Sequence, residues 1–201
     1  MPPFTHRAAL LVLLASAAPA LHAQRYEVDL SQLDPAAVMA AGNDVLLRAP
    51  DTAIDALFQA VHASSRSDTE SAALCALFHP DADRSVAGFQ RAVDRLGDAS
   101  RERFALAFTD IALTGLQGQP QPYDPGAAQQ VLKSAAVTAT LLHEGFMVGM
   151  TTTADDPASR EARCRSFRWM VGVVKDLPLA QRAAATRWLL QEGLTLVASG
   201  G

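Results

Sequence analysis

Residues 156–177, DPASREARCRSFRWMVGVVKDL, decide the fold. Asp156 places a capping carboxylate before Pro157, and proline suits a first helical turn because the N–H it lacks has no partner there anyway. Cys164, Phe167, Val171 and Val174 then recur at three- and four-residue steps, which puts one apolar stripe along a helix running to Leu177. Pro178 opens a further helix carrying Trp188, Leu190, Leu194 and Val197. A helix with one apolar stripe must bury it against other elements, and every neighbouring segment carries the same kind of signal.

The same Asp-Pro punctuation stands at Asp34-Pro35 and Asp124-Pro125. Asp51 precedes Ile54, Leu57, Phe58 and Val61 at helical spacing, and Ser67 with Glu70 has the capping-box arrangement ahead of Leu74, Leu77 and Phe78. Asp83 opens a segment with Val86, Phe89, Val93 and Leu96 on one face, closed by Gly97; Ser100 opens another with Phe104, Phe108 and Ile111, closed by Gly115. The glycine- and proline-bearing stretch from Gly115 to Tyr123 reads as a loop. After it, Ala128, Val131, Ala135, Ala139, Leu142, Phe146 and Gly149 describe a long helix to about Met150, with a possible break at Gly145, and this helix reads as the central one. The expected fold is therefore all-α, a compact array of about eight helices in a single domain over 31–201. The loop at 116–123 is expected to divide it into sub-lobes of five and three helices. The composition agrees: the 201 residues are 49% hydrophobic, 19% charged and 6% aromatic, in the range of a globular protein and far from a disordered or fibrous one.

Only two cysteines exist, Cys75 and Cys164, so one intramolecular pairing is available. Each lies on the apolar side of an expected helix, and a bridge between them would cross the loop at 116–123 and hold both halves together. Oxidised pairs belong to compartments outside the cytoplasm, and the amino terminus reads accordingly. Arg7 is followed by an unbroken apolar run from Ala8 to Ala20, then by small residues, which is the pattern of an export signal over 1–23. The run is too short to span a bilayer, which needs about 20 residues. Arg25 to Leu30 alternates polar and apolar, an extended arm over 24–30. The expected location is periplasmic or secreted.

Reactive chemistry leaves little trace. His143-Glu144 begins like a zinc-protease helix, but the second histidine needed one turn later is Met147. His62 and His79 fall in other segments. Asp81 and Asp83 resemble the first ligands of a calcium loop, yet the required glycine is Val86 and the closing acid is Ala92. Nucleotide-binding, hydrolase-elbow and haem-attachment patterns do not occur, so neither cofactor nor metal is expected from motifs. A formal charge of −4 lacks the basic footprint that non-specific nucleic-acid binding requires.

The candidate binding residues are Arg160, Arg163, Arg165 and Arg168 around Cys164, with His143 and Glu144 as a second polar spot. Guanidinium groups pair bidentately with carboxylates and are favoured in interface anchors. Arg163, next to the tethered Cys164, is the expected strongest anchor. A second basic set, Arg84, Arg91 and Arg95, shares another helix face. These features point to a helical protein-interaction module, an inhibitor, adaptor or accessory subunit, whose partner is another envelope or secreted protein. The alternatives are a carrier holding an apolar molecule against Phe146, Met147 and Val148, and an enzyme with a dispersed site near His143 and Glu144. The oligomeric state is left open.

Exported protein should begin at Gln24, or at Leu21 if the cut follows Ala20. Intact-mass measurement of the protein recovered from the envelope or medium checks this, and a chain there that retains Met1 contradicts it.

Overall fold

The computed structural model describes residues 35–83 and 85–198. The signal segment 1–23, the arm 24–30, the Asp34 cap, Arg84 and the terminal 199–201 lie outside them. Among the described residues nine α-helices follow in order: α1 (Pro35–Arg48), α2 (Asp51–Ser65), α3 (Asp68–Cys75), α4 (Val86–Asp94), α5 (Asp98–Gln117), α6 (Pro125–Leu142), α7 (Phe146–Thr151), α8 (Pro157–Lys175) and α9 (Leu179–Ala198). A short 3-10 turn, Ala76–Phe78, extends α3. The described residues contain no strand.

The Asp-Pro starts behave as their chemistry requires. Asp124 accepts from the N–H groups of Gly126 and Ala127 at 2.8 and 3.2 Å, and Asp156 from those of Ala158 and Ser159 at 3.0 and 3.1 Å. Other starts shift. Ser85, not Asp83, caps α4, while Asp83 accepts from Ser85 N–H and pairs with Arg91. Two hydrogen bonds from Ser85 and the pairing with Arg91 hold the Asp83 carboxyl at about 2. Ser67 caps α3 through Glu70 N–H, but Glu70 does not complete the box. Its carboxylate instead accepts from Gly97 N–H at 3.1 Å and from Ser100 Oγ at 2.6 Å, closing the start of α5, whose own cap position is a glycine. Burial opposes the ionised form of Glu70, yet the hydrogen bonds from Ser100 and Gly97 N–H, with Arg103 nearby, hold it below its ordinary value.

α5 also runs past its expected stop. Gly115 is buried inside the helix because the α1 backbone lies against it: an added Cβ would stand 2.4 Å from the carbonyl oxygen of Val45. The break expected at Gly145 is real. Its φ of 83° is the left-handed conformation that glycine adopts without strain, and it separates α6 from α7.

Two apolar clusters fill the interior. One gathers Leu46, Ile54, Leu57, Phe104, Ile111 and Ala183 from α1, α2, α5 and α9. The other gathers Phe58, Ala135, Ala139, Phe146, Val171 and Val174 from α2, α6, α7 and α8. α2 is the helix they share, so the central position belongs to α2 and not to the 128–150 segment. α6 turns only an alanine edge inward and leaves Val137, Leu141 and Leu142 exposed. The clusters also do not divide the chain at the 116–123 loop, because α9 returns to pack on α1 and α2.

Arginines fix that return. Arg187, 1% exposed, donates from Nε to the carbonyl of Leu46 at 2.8 Å, from Nη2 to that of Ala49 at 2.7 Å and from Nη1 to Asp51 at 3.0 Å, and lies 5.5 Å from the Tyr123 ring centre. It thereby closes the end of α1 and meets the first turn of α2. Five residues earlier, Arg182 forms a two-pronged pair with Asp55 at 2.7 and 2.9 Å, and this hydrogen-bonded pairing raises its pKa. Cys75 and Cys164 form the disulfide, joining α3 to α8 with Cα atoms 5.2 Å apart.

Two stability outcomes follow. Replacing both cysteines by serine releases a loop constraint across 89 positions, worth on the order of 4 kcal/mol in the chain-entropy account. A loss of even about 3 kcal/mol lowers the melting temperature by roughly 6–12 °C for a chain this size, and an unchanged melt in calorimetry contradicts it. Arg187→Ala strands two helix-end carbonyls and the Asp51 carboxylate. It should destabilise by about 3–5 kcal/mol, read from urea unfolding. Arg187→Lys should rescue little of this, since an ammonium cannot span three acceptors arranged for a planar fork.

Candidate functional site

An open cleft of about 560 Å³ runs between the α2–α3 junction and α8, with Cys164 in its wall. The local sequence explains what lines it. α2 ends at Ser65, and the short link Arg66-Ser67 lets Asp68 begin α3, so His62, Arg66 and Asp68 stand at one edge. α8 supplies the other edge with Glu161, Arg165, Arg168 and Trp169, which recur over neighbouring turns.

Charged groups in the cleft are partly paired. Arg168 donates to Asp68 at 2.7 Å and Arg165 to Glu161 at 3.2 Å, with both carboxylates strongly exposed. Such pairs contribute little and exchange readily with an incoming anion. Arg66 is exposed, and among the described residues no carboxylate forms an ion pair with it. Arg165 also lies 5.6 Å from the centre of the Trp169 ring, a cation–π arrangement. His143 stacks on the same indole with ring centres 4.8 Å apart and planes 1° from parallel. Burial, reinforced by Lys175 and Arg66 and opposed only by Asp176, holds the His62 imidazole below its ordinary pKa.

The candidate arginines thus separate. Arg165 and Arg168 face the cleft, and His143 supports its tryptophan from the α6–α7 turn, while Glu144 is exposed beside it. Arg160 and Arg163 lie on another side of α8, where both pair with Asp155. Arg163, the expected anchor, is only 10% exposed along its side chain. It donates to the carbonyl of Ala154 at 2.7 Å and fastens the α7–α8 link. In the second basic set, Arg91 is paired with Asp83. Phe146, expected to line a carrier cavity, is 1% exposed within the core, whereas Met147 and Val148 face outward. Gly149 presses so closely on α8 that an added Cβ would stand 2.1 Å from the Ala162 carbonyl oxygen.

His62, Arg66, Asp68 and Trp169 were not singled out from the sequence. Trp169 had a local signal, one turn after Arg165 and adjacent to Arg168. The other three lie about 100 residues from α8, and no spacing rule links them to it.

The fold also brings together His79, Asp81 and Asp155, with one ligand atom from each inside a mutual distance of 4.8 Å. No family model, curated protein or solved structure matches the chain.

Proposed function

We propose that this chain is an exported interaction module, periplasmic or secreted, whose cleft seats an acidic segment of another envelope or secreted protein. The observation that carries this reading is the convergence of Arg66, Arg165 and Arg168 around Trp169 in one open cleft. Three guanidinium groups exceed the two carboxylates beside them, so the cleft is locally cationic although the whole chain carries −4. Arginine and tryptophan are the side chains most often found as interface anchors. Arg66 stands ready for a partner carboxylate, and Arg165 and Arg168 exchange weak exposed pairs for a partner's acids. The indole gives the bound segment an apolar surface beside those charges. The disulfide, pinning the two edges of the cleft at Cys75 and Cys164, lowers the ordering cost of binding. Disulfide bonding fits a compartment that keeps thiols oxidised, and no described helix is long and apolar enough to cross a membrane.

A glutamate-rich, fluorescein-labelled decapeptide should bind in fluorescence anisotropy, and its lysine-rich counterpart should not. Arg66→Ala and Arg165→Ala should each weaken binding by about 1 kcal/mol or more, roughly fivefold; Arg95→Ala should leave it unchanged. Arg163→Ala should lower stability before it lowers affinity. Binding should also strengthen as pH falls from 7 to 5. In the free cleft burial, with Lys175 and Arg66, lowers the His62 pKa; an anion bound beside Arg66 opposes that lowering, so the complex should hold a proton on His62 more readily than the free chain does, while the peptide glutamates stay largely ionised. His62→Asn should flatten that dependence. Equal binding of the two peptides, or equal loss in the Arg66 and Arg95 variants, overturns the proposal.

A further inference from the structure

We propose that His79, Asp81 and Asp155 form a second site, on the other side of α8 from the cleft, for a divalent cation of the zinc class. His79 ends the 3-10 turn that follows Cys75, Asp81 comes two residues later, and Asp155 immediately precedes the α8 cap Asp156. The two segments are 74 or more positions apart in sequence. They meet because the disulfide ties α3 to α8, with Cys75 four residues before His79 and Cys164 nine after Asp155.

One imidazole nitrogen and two carboxylate oxygens are a borderline ligand set. Imidazole favours zinc and its neighbours over magnesium or calcium, and three protein ligands leave a fourth tetrahedral position to water. Zinc bonds of about 2.0–2.2 Å place tetrahedral ligands about 3.4 Å apart. The present separations of up to 4.8 Å therefore close by side-chain rotation. Asp81 and Asp155 are exposed and His79 is half-buried, and none of the three is a core residue.

The surrounding charges set the strength. Asp155 is gripped through both oxygens by Arg160, with Arg160 Nε at 2.8 Å, and is approached by Arg163 at 3.3 Å. Each carboxylate oxygen offers two lone-pair directions, so these hydrogen bonds leave one direction open and orient the group as outer-shell partners of metal ligands commonly do. Arg160 nevertheless occupies the field of Asp155 and Asp81 that a cation would use. The same hydrogen-bonded pairing with Asp155 raises the Arg160 pKa, and Asp81 adds to it. Cation and guanidinium compete, which makes affinity moderate and gives the site a signature: weakening Arg160 must strengthen metal binding.

Isothermal titration calorimetry of the tag-free, disulfide-intact chain with zinc chloride at pH 7 tests this. The expected result is saturable binding of one zinc per chain in the micromolar range, with a higher melting temperature in zinc than in chelator. His79→Ala and Asp81→Asn should each weaken binding by about tenfold or more, and Arg160→Gln should tighten it several-fold. If His79→Ala misfolds by circular dichroism, Asp81→Asn, altering an exposed side chain, carries the test alone. Absence of saturable one-to-one binding overturns the site. Equal affinity in the wild-type and Asp81→Asn chains does the same, since it marks scattered surface carboxylates. An Arg160→Gln chain that binds zinc no more tightly overturns the competition. None of these readouts depends on the acidic-peptide reading, because its arginines, Arg66 after α2 and Arg165 and Arg168 on α8, line the cleft and form no ion pair with Asp155.

Discussion

A guanidinium taken out of water needs a partner at each of its nitrogens, and Arg187 is a place where this chain meets that requirement. Two backbone carbonyls at the end of α1, the Asp51 carboxylate at the start of α2 and the Tyr123 ring surround it. Leaving such a charge unpaired costs several kcal/mol, so α9 can settle only in the register that brings Arg187 to those acceptors. Arg182 with Asp55, five residues away along the same helix, fixes the rotation about that register. Once α9 lies there, α2 is enclosed by α5, α8 and α9, and its final turn is held where His62 and Arg66 can edge a cleft.

α8 then works on two sides. At 3.6 residues per turn, the mean direction of Arg160 and Arg163 differs from that of Arg165 and Arg168 by about 140° around the helix. Four arginines that look like one patch in the sequence consequently meet different neighbours. One pair is absorbed by Asp155 and the α7–α8 link; the other looks across at α3 beside a tryptophan. The disulfide lies between these two environments and serves both, since it fixes the α3 edge of the cleft and the turn carrying His79. A single covalent tie thus makes two distant segments into walls of one site and ligands of another.

What the chain determined by itself is local. Asp-Pro and Ser-x-x-Glu signals act within one turn, so the starts at Ser67, Asp124 and Asp156 were legible, as was the break at Gly145. The Cys75–Cys164 pairing was legible because only two cysteines exist. Apolar periodicity gave helices throughout. Tertiary structure decided whatever depended on groups far apart in sequence. Glu70 left its own helix start for Gly97 and Ser100, 27 and 30 residues on, because α5 lacks a side-chain cap of its own. Gly115 did not stop α5, since the approach of α1 fills the space its missing side chain leaves. Arg163 turned inward because two carbonyls and Asp155 offered more than solvent did. Arg66 and Trp169, and His79, Asp81 and Asp155, became neighbours only after packing. A helix sets which way a side chain points, but the helix opposite, chosen by burial and long-range pairing over the whole chain, decides what that side chain finds.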